Sequence, residues 1–183
     1  IFDCAPASDG AAAVILCSLE KAKDLSDIPV KIIGSGQASD FMSLHDRESL
    51  TRIDSTVFAR KRALEQAGRK IADIDVAEVH DSYSIAEIMA IEDLGIVNKG
   101  EGGKAMDDGI TEIGGEFPIN TSGGLKARGH PPGATGVAQV VEIVTQLRNA
   151  AGDRQVKGAK YGLTHNLGGT GGTAVVNIFE GVN

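Results

Sequence analysis

The chain reads as an α/β protein with a mostly parallel five-stranded sheet, an antiparallel edge pair and helices on both faces. Two patterns predict this. From residue 30 to residue 147, short β-branched apolar runs alternate with segments of helical periodicity, the order that joins parallel neighbours through helices. The last two apolar runs are separated only by residues 166–172, a length that suits an antiparallel pair better than a crossover. At 183 residues the chain can bury a core and is expected to form one compact domain.

Ala11 to Cys17 is an apolar run of strand length, and Val30-Lys31-Ile32-Ile33-Gly34 is a second, ended by a glycine cluster. Asp54 to Ala67 places Val57, Ala63, Leu64 and Ala67 on a helical face, with Asp54 or Ser55 as N-cap and Gly68 as stop. Val76 to His80 is a strand. Ser84 to Leu94 is a helix whose faces are marked by Ile85, Ile88, Met89 and Glu92, ended by Gly95. Asn98 to Gly115 is polar and glycine-rich, a surface excursion. Phe117 to Asn120 is a brief strand, and Gly136 to Leu147 a helix with Val137, Val140, Val141, Val144 and Leu147 at helical spacing. Ala159 to His165 and Thr173 to Phe179 are the closing strands.

Composition narrows the function. Hydrophobic residues make up 42% and charged residues 23%, which is ordinary for a globular protein, while 24 glycines point to tight turns and backbone-lined sites. A formal charge of -7 without a block of Lys and Arg argues against a nucleic-acid surface. No apolar run is long enough to cross a bilayer. The two cysteines, Cys4 and Cys17, form neither a disulfide framework nor a metal cluster and fit a reducing compartment, so a cytoplasmic location is expected.

The most telling segment is Gly123-Gly124-Leu125-Lys126-Ala127-Arg128-Gly129-His130-Pro131-Pro132-Gly133-Ala134-Thr135-Gly136. Gly129, Pro131 and Pro132 remove freedom around His130, and Gly133 and Gly136 let backbone approach a ligand. A fixed imidazole of this kind suits general base and oxyanion chemistry. His80 ends a strand and precedes Asp81; its plainer reading is a ring buried beside an acidic helix cap. His165 ends a later strand, where the plainer reading is turn geometry. All three histidines are expected around one cleft beyond the carboxyl ends of the strands, where open α/β sheets bind ligands. The glycine runs match neither a phosphate-binding loop nor a dinucleotide fingerprint, and no paired histidine spacing supports a metal.

The histidine loop resembles that of the thiolases. Val79-His80-Asp81-Ser82-Tyr83-Ser84-Ile85-Ala86-Glu87 is similar to the His-Asp-Cys-Phe loop of the sterol-carrier-type thiolases, and His165-Asn166-Leu167-Gly168-Gly169-Thr170-Gly171-Gly172 to their C-terminal glycine-rich turn. Ser8-Asp9-Gly10-Ala11-Ala12-Ala13 is similar to the stretch that closes the N-terminal half of a thiolase. The resemblance implies a thiolase-like layered fold, with residues 1–25 closing the N-terminal half and residues 26–183 forming the C-terminal domain. It implies acyl transfer on coenzyme A thioesters, by Claisen condensation or thiolysis, with the nucleophilic cysteine in a preceding half. His130 would help deprotonate that cysteine and donate to the thioester oxygen, with His80 in the same oxyanion hole. Ser82 stands where the family carries a cysteine, and His165 where ordinary thiolases have their second catalytic cysteine. Backbone N–H groups of Leu167 or Gly168 would complete a second oxyanion site. Lys126, Arg128, Gly129 and Pro131, with Ser82, are the expected substrate contacts. No permanently bound cofactor is expected. A homodimer or homotetramer follows from the family, as does a small zinc-ribbon and OB-fold partner in some microbial relatives. The rival reading, which the non-thiol Ser82 and His165 permit, is a non-catalytic thiolase-like protein that binds acyl-CoA or serves as a scaffold.

Overall fold

The computed structural model describes residues 2–182, so Ile1 and Asn183, the outermost residues of the two expected segments, lie outside the described residues. The elements run α1 (Leu19–Leu25), β1 (Val30–Ser39), α2 (Asp54–Ala67), β2 (Val76–Glu78), α3 (Ser84–Asp93), α4 (Gly102–Asp107), α5 (Gly124–Arg128), α6 (Pro132–Leu147), β3 (Tyr161–Gly168) and β4 (Thr173–Gly181).

Among the described residues the sheet has four strands, in the order β1-β4-β3-β2. Two of its pairings, β1 with β4 and β3 with β4, are antiparallel; only β2 with β3 is parallel. This corrects the expected mostly parallel five-stranded sheet. Among the described residues no fifth strand joins the sheet, because residues 117–120 make one bridge, Ile119 to Ala77, and no ladder. Pro118 has no N–H to give, and Asn120 turns away at φ 51.

Helices cover both faces, as expected. Leu163, Ala174, Val176 and Ile178 pack with Ala59 and Ala63 of α2, whereas Val76 and Phe179 pack with Ile143 and Leu147 of α6. Alternation along β4 sends Ile178 to one side and Phe179 to the other. Gly34 and Gly36 do not end β1. They let α2 lie directly on the strand, since a Cβ at Gly36 would run into the Ala59 carbonyl oxygen. Asp54 opens α2 without capping it by its side chain; the Asp93 carboxylate instead accepts the Ile53 N–H at 2.8 Å. Gly68 ends the helix at φ 63, as the sequence predicts.

Several boundaries differ from the sequence reading. Residues 11–17 form no strand, and Ile15 is 89% exposed, because an apolar run calls for burial without supplying the partner that buries it. Cys17, expected in a core strand, is an exposed free thiol, as is Cys4. The excursion at 98–115 contains α4. Helix α6 starts four residues before Gly136, at Pro132, whose missing N–H costs nothing in a first turn. Its valines are not the buried face. Thr135, Gln139, Glu142 and Gln146 are buried along with Ile143 and Leu147, while Val140, Val141 and Val144 line an apolar groove with Val14, Ile15 and Leu16. On α3, Ala90 and Ile91 are buried, and Ile85 faces out. No helix among the described residues is long and apolar enough to cross a membrane.

Candidate active site

Two loops meet beyond the β2 end of the sheet. The first follows β2 and carries His80, Asp81 and Ser82; the second is α5 and the turn into α6, carrying His130. Gly123 and Gly124 enter α5 at φ 90 and 63, conformations that glycine adopts without strain. Their bareness also admits a carboxylate, since a Cβ at Gly124 would collide with Asp81 Oδ2. Asp81 accepts the Leu125 N–H at 2.8 Å and the Lys126 N–H at 3.1 Å, so it ties the His80 loop to the His130 loop.

That tie holds the two imidazoles together. The rings of His80 and His130 stand edge to face with centroids 5.0 Å apart. His80 is buried, and burial, followed by the charges of His130 and Arg128, pushes it down to about 4. It is therefore neutral at pH 7 and can donate one N–H without carrying charge. His130 is half-buried, and its Nδ1 lies 2.8 Å from the Thr135 hydroxyl.

His165 does not share the opening. It lies inside β3 instead of at its end, fully buried, with Nε2 2.9 Å from the Thr56 hydroxyl of α2. Burial, and after it the charge of His80, pushes its ring down to about 3. The ring is thus neutral at pH 7 and closed off from solvent. Leu167 and Gly168 are not in a turn but in the β3–β4 ladder, opposite Ala174 and Thr173.

Residues 3–10 bind the site from outside. The Ala5 N–H donates to the Ser82 carbonyl at 2.9 Å and the His130 N–H to the Pro6 carbonyl at 2.8 Å. Lys126 Nζ donates to the Cys4 carbonyl at 3.0 Å, Gly129 sits against Ser8, and Pro131 against Gly10. Arg128 turns inward: its Nε and Nη2 are buried without a hydrogen-bond partner, within electrostatic reach of His80 and Glu78.

Sequence reasoning passed over a layer of supporting polar groups. Glu78, fully buried, accepts the Ser122 hydroxyl at 2.6 Å and the Ser122 N–H at 3.1 Å; burial lifts its carboxyl to about 7. Asn120 accepts the Val79 N–H at 2.9 Å and donates to Glu87, which burial and the Asp81 charge also lift to about 7. The only sequence signal was Asn120-Thr121-Ser122-Gly123-Gly124, a run of turn formers before the histidine loop. Among the described residues, no group of three or more His, Cys, Asp or Glu is arranged to hold a metal ion.

Residues 36–181 match the thiolase C-terminal domain-like family. An acetyl-CoA acetyltransferase of Methanothermobacter thermautotrophicus is 59% identical over 180 residues, covering 98% of this chain and 47% of its own length. Sterol carrier protein 2 of Oryctolagus cuniculus is 44% identical over 185 residues, covering 98% of this chain and 34% of its own length. A solved Ltp2-ChsH2(DUF35) aldolase superposes with a TM-score of 0.78 at 28% identity, over 89% of this chain and 42% of that one. The chain thus spans half or less of these relatives' lengths. Its histidine loops, its layered sheet and these matches together place the chain in the thiolase C-terminal domain-like family.

Proposed function

We propose that this chain is the C-terminal half of an acyltransferase that acts on coenzyme A thioesters by Claisen condensation or thiolysis, with its nucleophilic cysteine in a preceding half. The observation that carries this reading is the His80–His130 pair, one ring buried and neutral, the other half-open, 5.0 Å apart. In the proposed cycle a cysteine thiol gives its proton to His130 and its sulfur attacks the thioester carbonyl, so the acyl group passes to the cysteine and coenzyme A leaves as its thiolate, to be protonated by solvent. A second thioester then gives its α-proton to a base of the preceding half, and the negative charge gathers on its oxygen. His80 and the protonated His130 donate N–H groups to that oxygen as the charge develops, in a site poor in water. The enolate carbon attacks the acyl-cysteine carbonyl, and the cysteine thiolate is expelled and takes its proton back from His130. Asp81 keeps the two donors in register. Residues 1–25 would close the preceding half, and the exposed apolar strip Val14, Ile15 and Leu16 suits contact with it.

Relatives named acetyl-CoA acetyltransferase and sterol carrier protein 2 support a coenzyme A thioester substrate and a place in lipid metabolism. The solved neighbour is named with a second component, ChsH2(DUF35), which supports a partner protein for this chain, the small zinc-ribbon and OB-fold type being expected. A homodimer or homotetramer and a cytoplasmic location belong to the same proposal.

The test is single-turnover acylation by acetyl-CoA, in the polypeptide that carries both halves, with thermal stability measured in parallel. His130→Ala is expected to cost about 10²–10³ in rate, the usual loss for one oxyanion donor, and Ser82→Ala little. Equal losses would give Ser82 a chemical role. Undiminished acylation in His130→Ala would refute the role given to His130, and a wild type that is never acylated would leave the acyl-CoA-binding or scaffold reading in its place.

A further inference from the structure

The hydroxyl of Thr135 has a single proton and two neighbours. Thr135 is fully buried in the first turn of α6. Its Oγ1 lies 3.0 Å from the Pro131 carbonyl oxygen, four residues back, and 2.8 Å from His130 Nδ1. A carbonyl can only accept, and threonine in a helix commonly donates to the carbonyl four residues before it. With the proton placed there, a hydroxyl lone pair faces Nδ1, and the short contact is a hydrogen bond only if Nδ1 carries the hydrogen. The opposite assignment makes one hydrogen bond and leaves two oxygens facing each other at 3.0 Å with no hydrogen between them.

We propose that Thr135 is a positioning residue that sets the tautomer of His130, holding the proton on Nδ1 and leaving Nε2 as the free base. That Nε2 then takes a thiol proton rests on the acyltransferase reading above; the tautomer does not. Once Nε2 is protonated, the Nδ1–H bond to Thr135 persists, so the ring turns from base to N–H donor without rotating. A flip of the ring about Cβ–Cγ would carry Nδ1 away from Thr135 and give up the 2.8 Å contact, so that contact itself opposes the rotation that would undo the assignment.

The test compares Thr135→Val and Thr135→Ser with wild type, in the polypeptide carrying both halves and labelled with ¹⁵N in its histidine rings. The His130 signals are assigned by their loss in His130→Gln. Wild type and Thr135→Ser are expected to show the Nδ1–H pattern at His130. Thr135→Val is expected to move toward Nε2–H and to lose roughly ten- to a hundredfold in single-turnover acylation, the scale of one hydrogen bond to a group that becomes charged. Rescue by serine and unchanged His80 and His165 signals separate this from damage to the fold. An Nε2–H pattern in wild type, or an unmoved pattern in Thr135→Val, overturns the proposal. Should Thr135→Val not fold, the wild-type pattern alone decides. If the pattern moves as stated but wild type is never acylated, the tautomer assignment stands and the acyltransferase reading falls.

Discussion

Glu78→Gln replaces a buried carboxyl by its neutral isostere, and its effect on stability reverses the usual expectation for removing a hydrogen-bonded acid. Burial lifts the Glu78 carboxyl from 4.5 to about 7, against the opposing pull of Ser122 and Arg128. A group whose folded-state value is raised contributes its full stability below pH 4.5, and that contribution is lost as pH rises through 7. The displacement corresponds to roughly 3 kcal/mol at pH 8, by which point the native state must hold an ionised carboxylate among buried groups. Glutamine has no such cost. Its carbonyl can still accept the Ser122 N–H, and its amide can donate to the Ser122 hydroxyl. Wild type and Glu78→Gln are therefore expected to be equally stable near pH 4.5, and the variant more stable by up to about 3 kcal/mol at pH 8. At 2–4 °C per kcal/mol for a chain of this size, that is about 6–12 °C in melting temperature. The assay is urea and thermal unfolding of both proteins from pH 4.5 to 8. His80 and His165 titrate in both proteins and cancel in the difference. Stability curves that stay parallel across this range would refute the burial argument, as would a variant less stable at pH 8.

Two further outcomes follow from packing and charge. Gly36→Ala puts a methyl group into the backbone of α2 at Ala59 and Ala63 and is expected to cost about 1–3 kcal/mol, whereas Gly133→Ala, with nothing within 4 Å of its new Cβ, is expected to stabilise by about 0.4–1 kcal/mol; denaturant midpoints that rank the other way would place α2 elsewhere. His80 near 4 and His165 near 3 stay neutral while an unfolded chain takes up protons from pH 6.5 downward, so their contribution to stability is full above 6.5 and lost as pH falls toward 4. A ring titration of the native protein is expected to find His165 neutral at pH 5, and protonation near 6.5 would mean that the ring is not buried against Thr56.

The sequence by itself determined the α/β class, α2, α3 and the closing strands, because these rest on local periodicity and on stops such as Gly68 and Gly95. It also determined the histidine loop, since Gly129-His130-Pro131-Pro132 constrains its own backbone whatever surrounds it. Pairing was another matter. Nothing local to residues 173–181 says that β4 inserts between β1 and β3, and that insertion makes the sheet mostly antiparallel. Residues 11–17 and the valines of α6 read as core because hydrophobicity is a property of the residue, while burial depends on what lies opposite. The same holds at the site. Three histidines were legible, but only the fold decided that His80 and His130 touch while His165 turns toward Thr56, and that Asp81 binds two N–H groups 44 and 45 residues away. Hydrogen bonds across such distances, like the burial that moves Glu78 and His80, exist only once distant segments have packed.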